Sequence, residues 1–262
     1  MHRLAWLTDI HLEFTTPAER EALKAAILAA QPDSVVITGD IAIAPTVLDD
    51  LRDLAAGLRL PVSFVFGNHD FYHGSIAGVR AGAAQINPSL TWLDATGAVR
   101  LSAGTALVGV DGWGDGRLGN FSSSPVMLND FFLIEELANL PREVLRARLG
   151  ALGDSASKAL QSALTQAVAW AKHVVVATHV PPFREACWHE GAPSGEDWLP
   201  FFACKATGDV LLAAASSHPQ TRFTVLCGHT HSAGEVQVLA NLRVLTGDAC
   251  YGSPGLQRLL VV

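Results

Sequence analysis

Five short apolar runs, each stopped abruptly by histidine, aspartate or asparagine, constrain this chain more than any other feature. L-A-W-L-T-D-I-H runs into Asp9 and His11, S-V-V-I-T-G-D into Asp40, and V-S-F-V-F-G-N-H-D into Asn68, His69 and Asp70. Further along, H-V-V-V-A-T-H ends at His179, and F-T-V-L-C-G-H-T-H ends at His229 and His231. The runs are β-branched or aromatic and do not alternate with polar residues, which is the pattern of strands covered on both faces. Helical patterns lie between the early runs: Pro17 to Gln31 with Thr16 as N-cap, and Pro45 to Leu58 with the proline in the first turn. A third, alanine-rich pattern spans Ser155 to Ala171. Strand–helix alternation predicts parallel β-structure with helices packed outside, and such sheets gather functional side chains beyond the carboxyl ends of their strands. The five polar endings should therefore meet on one rim.

The 262 residues are 49% hydrophobic with a mean hydropathy of +0.27, enough for the core of a single α/β domain over 1–262. No apolar run approaches the roughly 18–20 residues that cross a bilayer, and Leu4 to Leu7 is too short for a secretory h-region. Cytoplasmic location without membrane association is the expectation. The net charge of −7, from 18 basic and 25 acidic residues, counts against long nucleic acid as a partner but leaves a single nucleotide open. Arg142, Arg146 and Arg148 read as one helix face. Cys187, Cys204, Cys227 and Cys250 contain no C-x-x-C pair, so reduced and mostly buried thiols are expected rather than a zinc ribbon.

Any one strand-end histidine or aspartate could simply satisfy nearby backbone groups. Seven oxygen and nitrogen donors, all at strand ends, instead point to a metal centre: Asp9, His11, Asp40, Asn68, His179, His229 and His231. A donor set without thiolate suits Mn, Fe, Zn, Co or Ni.

Taken in order, D-I-H (9–11), G-D (39–40), G-N-H-D (67–70), T-H (178–179) and G-H-T-H (228–231) resemble the calcineurin-like metallophosphoesterases. The spelling is most similar to small bacterial members, including the cyclic-nucleotide phosphodiesterase branch. The resemblance implies a four-layer αββα sandwich with mixed sheets and two metal ions per chain, Mn2+ or iron foremost, with Zn2+, Co2+ or Ni2+ also compatible. It places one ion on Asp9, His11, Asp40 and His231, the other on Asp40, Asn68, His179 and His229, with Asp40 bridging. The implied activity is hydrolysis of a small phosphodiester, a nucleotide among the candidates, by hydroxide held between the ions. The same centre would serve a phosphomonoesterase or pyrophosphohydrolase. A nuclease or a non-catalytic scaffold is a more distant reading of the same residues. His69 follows a ligand without matching one, and is expected to protonate the leaving oxygen while Asp70 accepts from its other ring nitrogen.

The segment 184–204 reads as an inserted flap whose aromatics, Trp188, His189, Trp198, Phe201 and Phe202, could line a pocket. His73, Arg117, Trp188 and His189 are the candidate substrate contacts. Asp111, Asp115 and Asp248 read as loop or turn carboxylates among glycines, and His2, His173 and His218 as structural or exposed. No feature specifies an oligomeric state.

Overall fold

The five apolar runs divide between two sheets. In the computed structural model, which describes residues 1–86 and 89–262, β1 (Arg3–Leu7), β2 (Ser34–Thr38), β3 (Val62–Val65) and β4 (Leu90–Trp92) pair in parallel. β13 (Arg258–Val261) closes that sheet antiparallel to β1. The second sheet has β6 (Thr105–Val110), β7 (His173–Thr178), β10 (Arg222–Cys227) and β12 (Leu242–Thr246) in parallel. Its edges, β5 (Val99–Arg100) and β11 (Gly234–Leu239), run antiparallel.

Alternate side chains of each strand go to different layers, as the two-residue period requires. Leu4, Trp6, Val36 and Val65 face Leu107, Val175, Ala177 and Leu226 in an apolar layer between the sheets. Ala5, Leu7, Val35 and Ile37 turn outward to Leu23, Ile27, Leu51 and Leu54 of the helices Pro17–Ala29 and Val47–Leu58. On the opposite face, Val174, Val176 and Val225 meet Leu160, Leu164 and Leu211 of the helices Arg142–Val168 and Lys205–Ser217. The result is the expected αββα order with mixed sheets. Every central strand is covered twice, which is why none of the five runs alternates.

Local signals place the helices with small corrections. Thr16 and Glu19 form a reciprocal capping box, so the first helix starts at Pro17 as expected and ends at Ala29. The second begins at Val47 rather than Pro45. The third begins at Arg142, well before Ser155; Gly150 and Gly153 interrupt the apolar pattern there, but Gly153 lies where Asp115 packs against the helix.

The segment 184–204 is a folded excursion: a turn at Arg184–Ala186, a ribbon of β8 (Trp188–His189) and β9 (Ala192–Pro193), and a turn of helix at Leu199–Phe202. The Cys187 thiol, buried inside it, donates to the Phe202 carbonyl at 3.1 Å. Cys187, Cys204 and Cys227 are buried free thiols and Cys250 is exposed. Among the described residues no helix is long and apolar enough to cross a membrane.

Candidate metal centre

Parallel pairing makes the strands of each sheet end level: Leu7 lies opposite Ile37, Thr38 opposite Val65, and Leu226 opposite Ala177. To bring its side chain back over the rim, the chain adopts the left-handed region at Asp9 (φ 49°), His11 (41°), Asp40 (50°), His229 (70°) and His231 (58°). Such backbone costs about 1–3 kcal/mol per non-glycine residue and concentrates where function demands it. Backbone bonds hold it: Asp9 N–H donates to Gly39 O at 3.0 Å, and His11 N–H to Asp40 O at 3.0 Å. The glycines that precede ligands are required by close approach. A Cβ at Gly228 would collide with Asp9 Oδ2, and one at Gly67 with Asp40 Oδ1.

Two groups of donors result. Asp9, His11, Asp40 and His231 each offer an atom within 4.8 Å of the others, and so do Asp40, His179 and His229. Asp40 belongs to both. In the first group His11 Nε2 lies 3.3 Å from His231 Nε2, and His231 Nε2 lies 3.4 Å from Asp9 Oδ1. In the second, His179 Nε2 is 3.3 Å from Asp40 Oδ1 and 3.1 Å from Asn68 Oδ1, and His229 Nδ1 is 3.0 Å from the same Asn68 oxygen. Donors bound about 2.0–2.2 Å from one cation lie about 3.0–3.4 Å from each other, so these spacings fit metal ligation.

Outer partners fix which nitrogen faces inward. His179 Nδ1 donates to Thr38 O at 2.8 Å and His229 Nε2 to Phe201 O at 3.1 Å, turning the opposite nitrogens toward the cluster. His11 Nδ1 faces Glu13 Oε1 at 3.3 Å, which likewise turns Nε2 inward. Asn68 is oriented by Asp130 Oδ1, which accepts from Asn68 Nδ2 at 2.8 Å and from Tyr72 OH at 2.7 Å. The amide oxygen is thereby left to the cluster.

Charge follows the same pattern. Burial alone would raise the Asp40 pKa, yet the imidazoles of His179, His69 and His11 hold it well below the usual carboxylate range. Against its own burial, His179 is pushed up to about 10 by Asp40 and then Asp9. His229 is pulled down to about 3 by burial and the neighbouring His179 charge. Two buried carboxylates thus create a site that demands positive charge, and the inward-facing nitrogens make it one that metal cations can answer in place of protons.

His69 stands beside this cluster. Its backbone N–H donates to Asp40 Oδ1 at 2.9 Å, its ring centroid is 4.5 Å from that of His11, and its Nδ1 is 3.6 Å from Glu13 Oε1. Asp70, expected to orient His69, is engaged elsewhere. Its carboxylate accepts backbone N–H groups from Ile41 (2.8 Å), Ala42 (3.0 Å) and Gly67 (2.7 Å), clamping the loops that carry Asp40 and Asn68. The carboxylate facing the His69 ring is Glu13, whose other oxygen is buried without a hydrogen-bond partner. The D-I-H-L-E spelling contains Glu13, but nothing in it says that the chain returns beside His69. Asp130 gives no sequence signal either, since its partnership with Asn68 exists only in the folded chain.

A cavity of about 250 Å³ opens on the cluster, its lining including His69, His229, His231, Met127, Phe202 and Tyr251. His189 lines it, with Nδ1 3.3 Å from Thr230 O. The other three expected contacts lie elsewhere. His73 is exposed outside the cavity, its backbone N–H tied to Leu133 O. Arg117 pairs with Asp115 at 3.2 Å and Asp154 at 2.7 Å, and Trp188 lines a separate depression with Glu235 and Val236. Asp111, read as a loop carboxylate, is fully buried and accepts from Phe66 N (2.8 Å) and Trp92 Nε1 (3.0 Å) while pairing with Arg80 (3.0 Å). It anchors the approach to Asn68 from behind. Asp248 is exposed in the coil between β12 and β13.

A rim of buried carboxylates and inward-facing imidazoles on an αββα sandwich defines a metal-dependent phosphoesterase architecture. The family model for calcineurin-like phosphoesterases matches residues 2–233, and the chain belongs to that family. The family centre is dimetal, and the buried Asp/His groups here could hold metal ions. By sequence no curated protein matches the chain. Among solved structures, a phosphopantetheinyl hydrolase from Mycobacterium tuberculosis is 15% identical with a TM-score of 0.67, covering 95% of this chain and 89% of that one. A dimetal phosphatase from Danio rerio is 15% identical with a TM-score of 0.57, covering 94% and 87%. GAP50, the anchor in the inner membrane complex of Plasmodium, is 13% identical with a TM-score of 0.55, covering 99% and 77%. Proteins so different in role show that these likenesses are of fold alone.

Proposed function

We propose that this chain hydrolyses small phosphodiesters in the cytoplasm with two metal ions, Mn2+ or iron, one on Asp9, His11, Asp40 and His231 and one on Asp40, Asn68, His179 and His229. Bound there, the cations supply Lewis-acid polarisation of the phosphoryl oxygens and lower the pKa of water. The chain's own groups do the rest. Glu13 draws the Nδ1–H of His69, so Nε2 is the nitrogen that delivers a proton to the leaving oxygen. Asp130 keeps the Asn68 oxygen aimed at the cluster, and Asp70 keeps both ligand loops in place. The apolar side chains Leu128, Met127 and Phe202 keep part of the cavity wall dry.

The observation that carries the choice of a diester is the absence of lysine and arginine among the described residues lining the cavity. A diester brings one negative charge, which the cations can meet. A monoester or pyrophosphate brings more, and the described lining offers no lysine or arginine to meet the extra charge. The test is a panel on the Mn2+-loaded protein: bis(p-nitrophenyl) phosphate, p-nitrophenyl phosphate, cyclic nucleotides, pyrophosphate and a phosphopantetheinyl conjugate. Diesters should exceed monoesters by about tenfold or more in kcat/KM. The reverse order makes it a monoesterase, and inactivity on every activated ester of a metal-loaded sample makes it a scaffold.

A further inference from the structure

Large apolar side chains are expensive to leave in water, and two aromatic ones are left there beside the cluster. Phe14 is 54% exposed and Tyr251 50% exposed, with ring centroids 4.9 Å apart and planes at 66°. They come from opposite ends of the chain: Phe14 closes the short turn after His11, and Tyr251 sits in the coil between β12 and β13. Tyr251 lines the cavity, its ring 4.6 Å from His11, 5.2 Å from His231 and 6.3 Å from His69. Phe14 stands behind it, edge toward face.

The two sides of the cavity differ. Beside His229 the wall is Phe202, at 5.2 Å, stacked on Trp198 and met by His189. Beside His69 and His11 the exposed ring is Tyr251. Tyr72 is also next to His69, at 4.1 Å, but it is buried and its hydroxyl is bound to Asp130. A leaving oxygen must come within hydrogen-bond reach of His69 to take its proton, so whatever that oxygen carries extends past Tyr251.

We propose that Tyr251, braced by Phe14, forms the subsite for the leaving alcohol, and that this alcohol bears a planar, uncharged aromatic or heteroaromatic group. The inference rests on the phosphodiester reading above and goes on to say which arm of the diester lies where. The Tyr251 face takes the departing arm, and the Phe202–His189 side takes the arm that stays on phosphorus. Recognition is by the ring face, so the hydroxyl of Tyr251 is dispensable.

The experiment compares wild type with Tyr251→Ala, Tyr251→Leu and Tyr251→Phe, all Mn2+-loaded. The substrates are methyl p-nitrophenyl phosphate, bis(p-nitrophenyl) phosphate and bis(trifluoroethyl) phosphate. Tyr251→Ala and Tyr251→Leu should lower kcat/KM about tenfold, and equally, on both nitrophenyl diesters, the size expected of one lost aromatic stack. On the trifluoroethyl diester the loss should be under about twofold, and Tyr251→Phe should restore wild-type behaviour on all three. In wild type, p-nitrophenol should compete with binding of the nitrophenyl diesters, and in Tyr251→Ala that competition should weaken by a similar factor. Equal losses on all three diesters would make the residue structural and overturn the assignment. So would a loss confined to bis(p-nitrophenyl) phosphate, because that substrate alone has an aryl group on the retained arm. A wild-type enzyme that cleaves monoesters but no diester sinks the phosphodiester reading first, and this assignment with it.

Discussion

β7 carries a histidine at each end, and the two are opposites. His173 opens the strand and His179 follows its last residue; both are buried, and burial disfavours the charged form of both. Yet His173 is pushed down to about 4, by burial and then by Arg222 and Arg243, whereas His179 is pushed up to about 10 by Asp40 and Asp9. Five residues of valine-rich strand separate a place that repels protons from one that collects them. The difference is direction. Parallel strands put every carboxyl end on one rim, so the acidic endings of β1 and β2 add up beside His179. At the foot of the strand, His173 Nε2 lies 3.0 Å from the Thr224 hydroxyl and an Arg222 N–H donates to His173 Nδ1 at 2.9 Å. One end of the strand is built to be satisfied by protein alone, the other to be completed by cations.

The sharpest way to break this contrast is to remove the residue common to both donor groups. Asp40→Ala should lower kcat/KM by about a thousandfold or more and abolish binding of two metal equivalents, measured on the same sample by kinetics and elemental analysis. Arg222→Ala, at the foot, should leave kcat/KM within about twofold. A variant at position 40 that keeps two ions and most of its activity would falsify the shared ligand, and with it the special status of the rim.

Next in size are the residues that act through the rim. Glu13→Gln and Asp130→Asn should each cost about 10–100-fold, but in different observables. With Glu13→Gln assayed at saturating metal, because Glu13 also holds His11 Nδ1, kcat should fall on diesters with basic alkoxide leaving groups and far less on nitrophenyl esters, with KM little changed. With Asp130→Asn, metal affinity measured by calorimetry should fall, because a neutral amide oxygen holds Asn68 Nδ2 less strongly than the carboxylate does. Asp70→Asn is the control. With its amide oxygen kept toward Ile41 and Ala42, it sets an NH2 against the Gly67 N–H donor, so it should lower unfolding stability by about 2–3 kcal/mol in denaturant titrations, without a leaving-group signature in the folded enzyme. Should Asp70→Asn instead reproduce the leaving-group effect of Glu13→Gln, the two carboxylates have been assigned the wrong way round.

What was legible in the sequence follows the same division. The strands, their double burial and their polar ends could be read because each is written in consecutive residues. The ligand candidates were found for the same reason, and the fold then brings Asp9, His11, Asp40, Asn68, His179, His229 and His231 to one place. The residues that orient them were not legible. Asp70 adjoins His69 in sequence, but the one-turn helix His69–Phe71 directs its carboxylate to the backbone of Ile41, Ala42 and Gly67. Glu13 and Asp130 meet His69 and Asn68 from distant parts of the chain, and no local pattern encodes a contact between residues 68 and 130. Arg117 and His73 show the converse: chemically suitable side chains near a motif, taken up by Asp154 and by the protein exterior. Phe14 and Tyr251 carried no signal, because an exposed aromatic and a buried one are spelled alike.

The smallest expected effect is at the foot of β7, where it tests the sign of the comparison. Folded His173 stays neutral down to about pH 4, whereas in the unfolded chain it takes up a proton near its ordinary 6.5. Above about pH 6.5 both states are neutral and His173 contributes no pH dependence. Between about 6.5 and 4 the unfolded state binds the extra proton, so stability falls as the solution is acidified. Carboxylates titrate over part of the same range, so the informative quantity is the difference from His173→Gln, which keeps an amide that can bond Thr224 but has no proton to gain. Denaturant unfolding of the metal-free proteins should give parallel stability curves above pH 7. By pH 4.5 the wild type should have lost about 1–2 kcal/mol relative to the variant, a figure discounted for partial solvent screening. If the wild type gains stability relative to the variant on acidification, His173 takes up its proton in the folded state. The foot of the strand would then share the electrostatics of the rim.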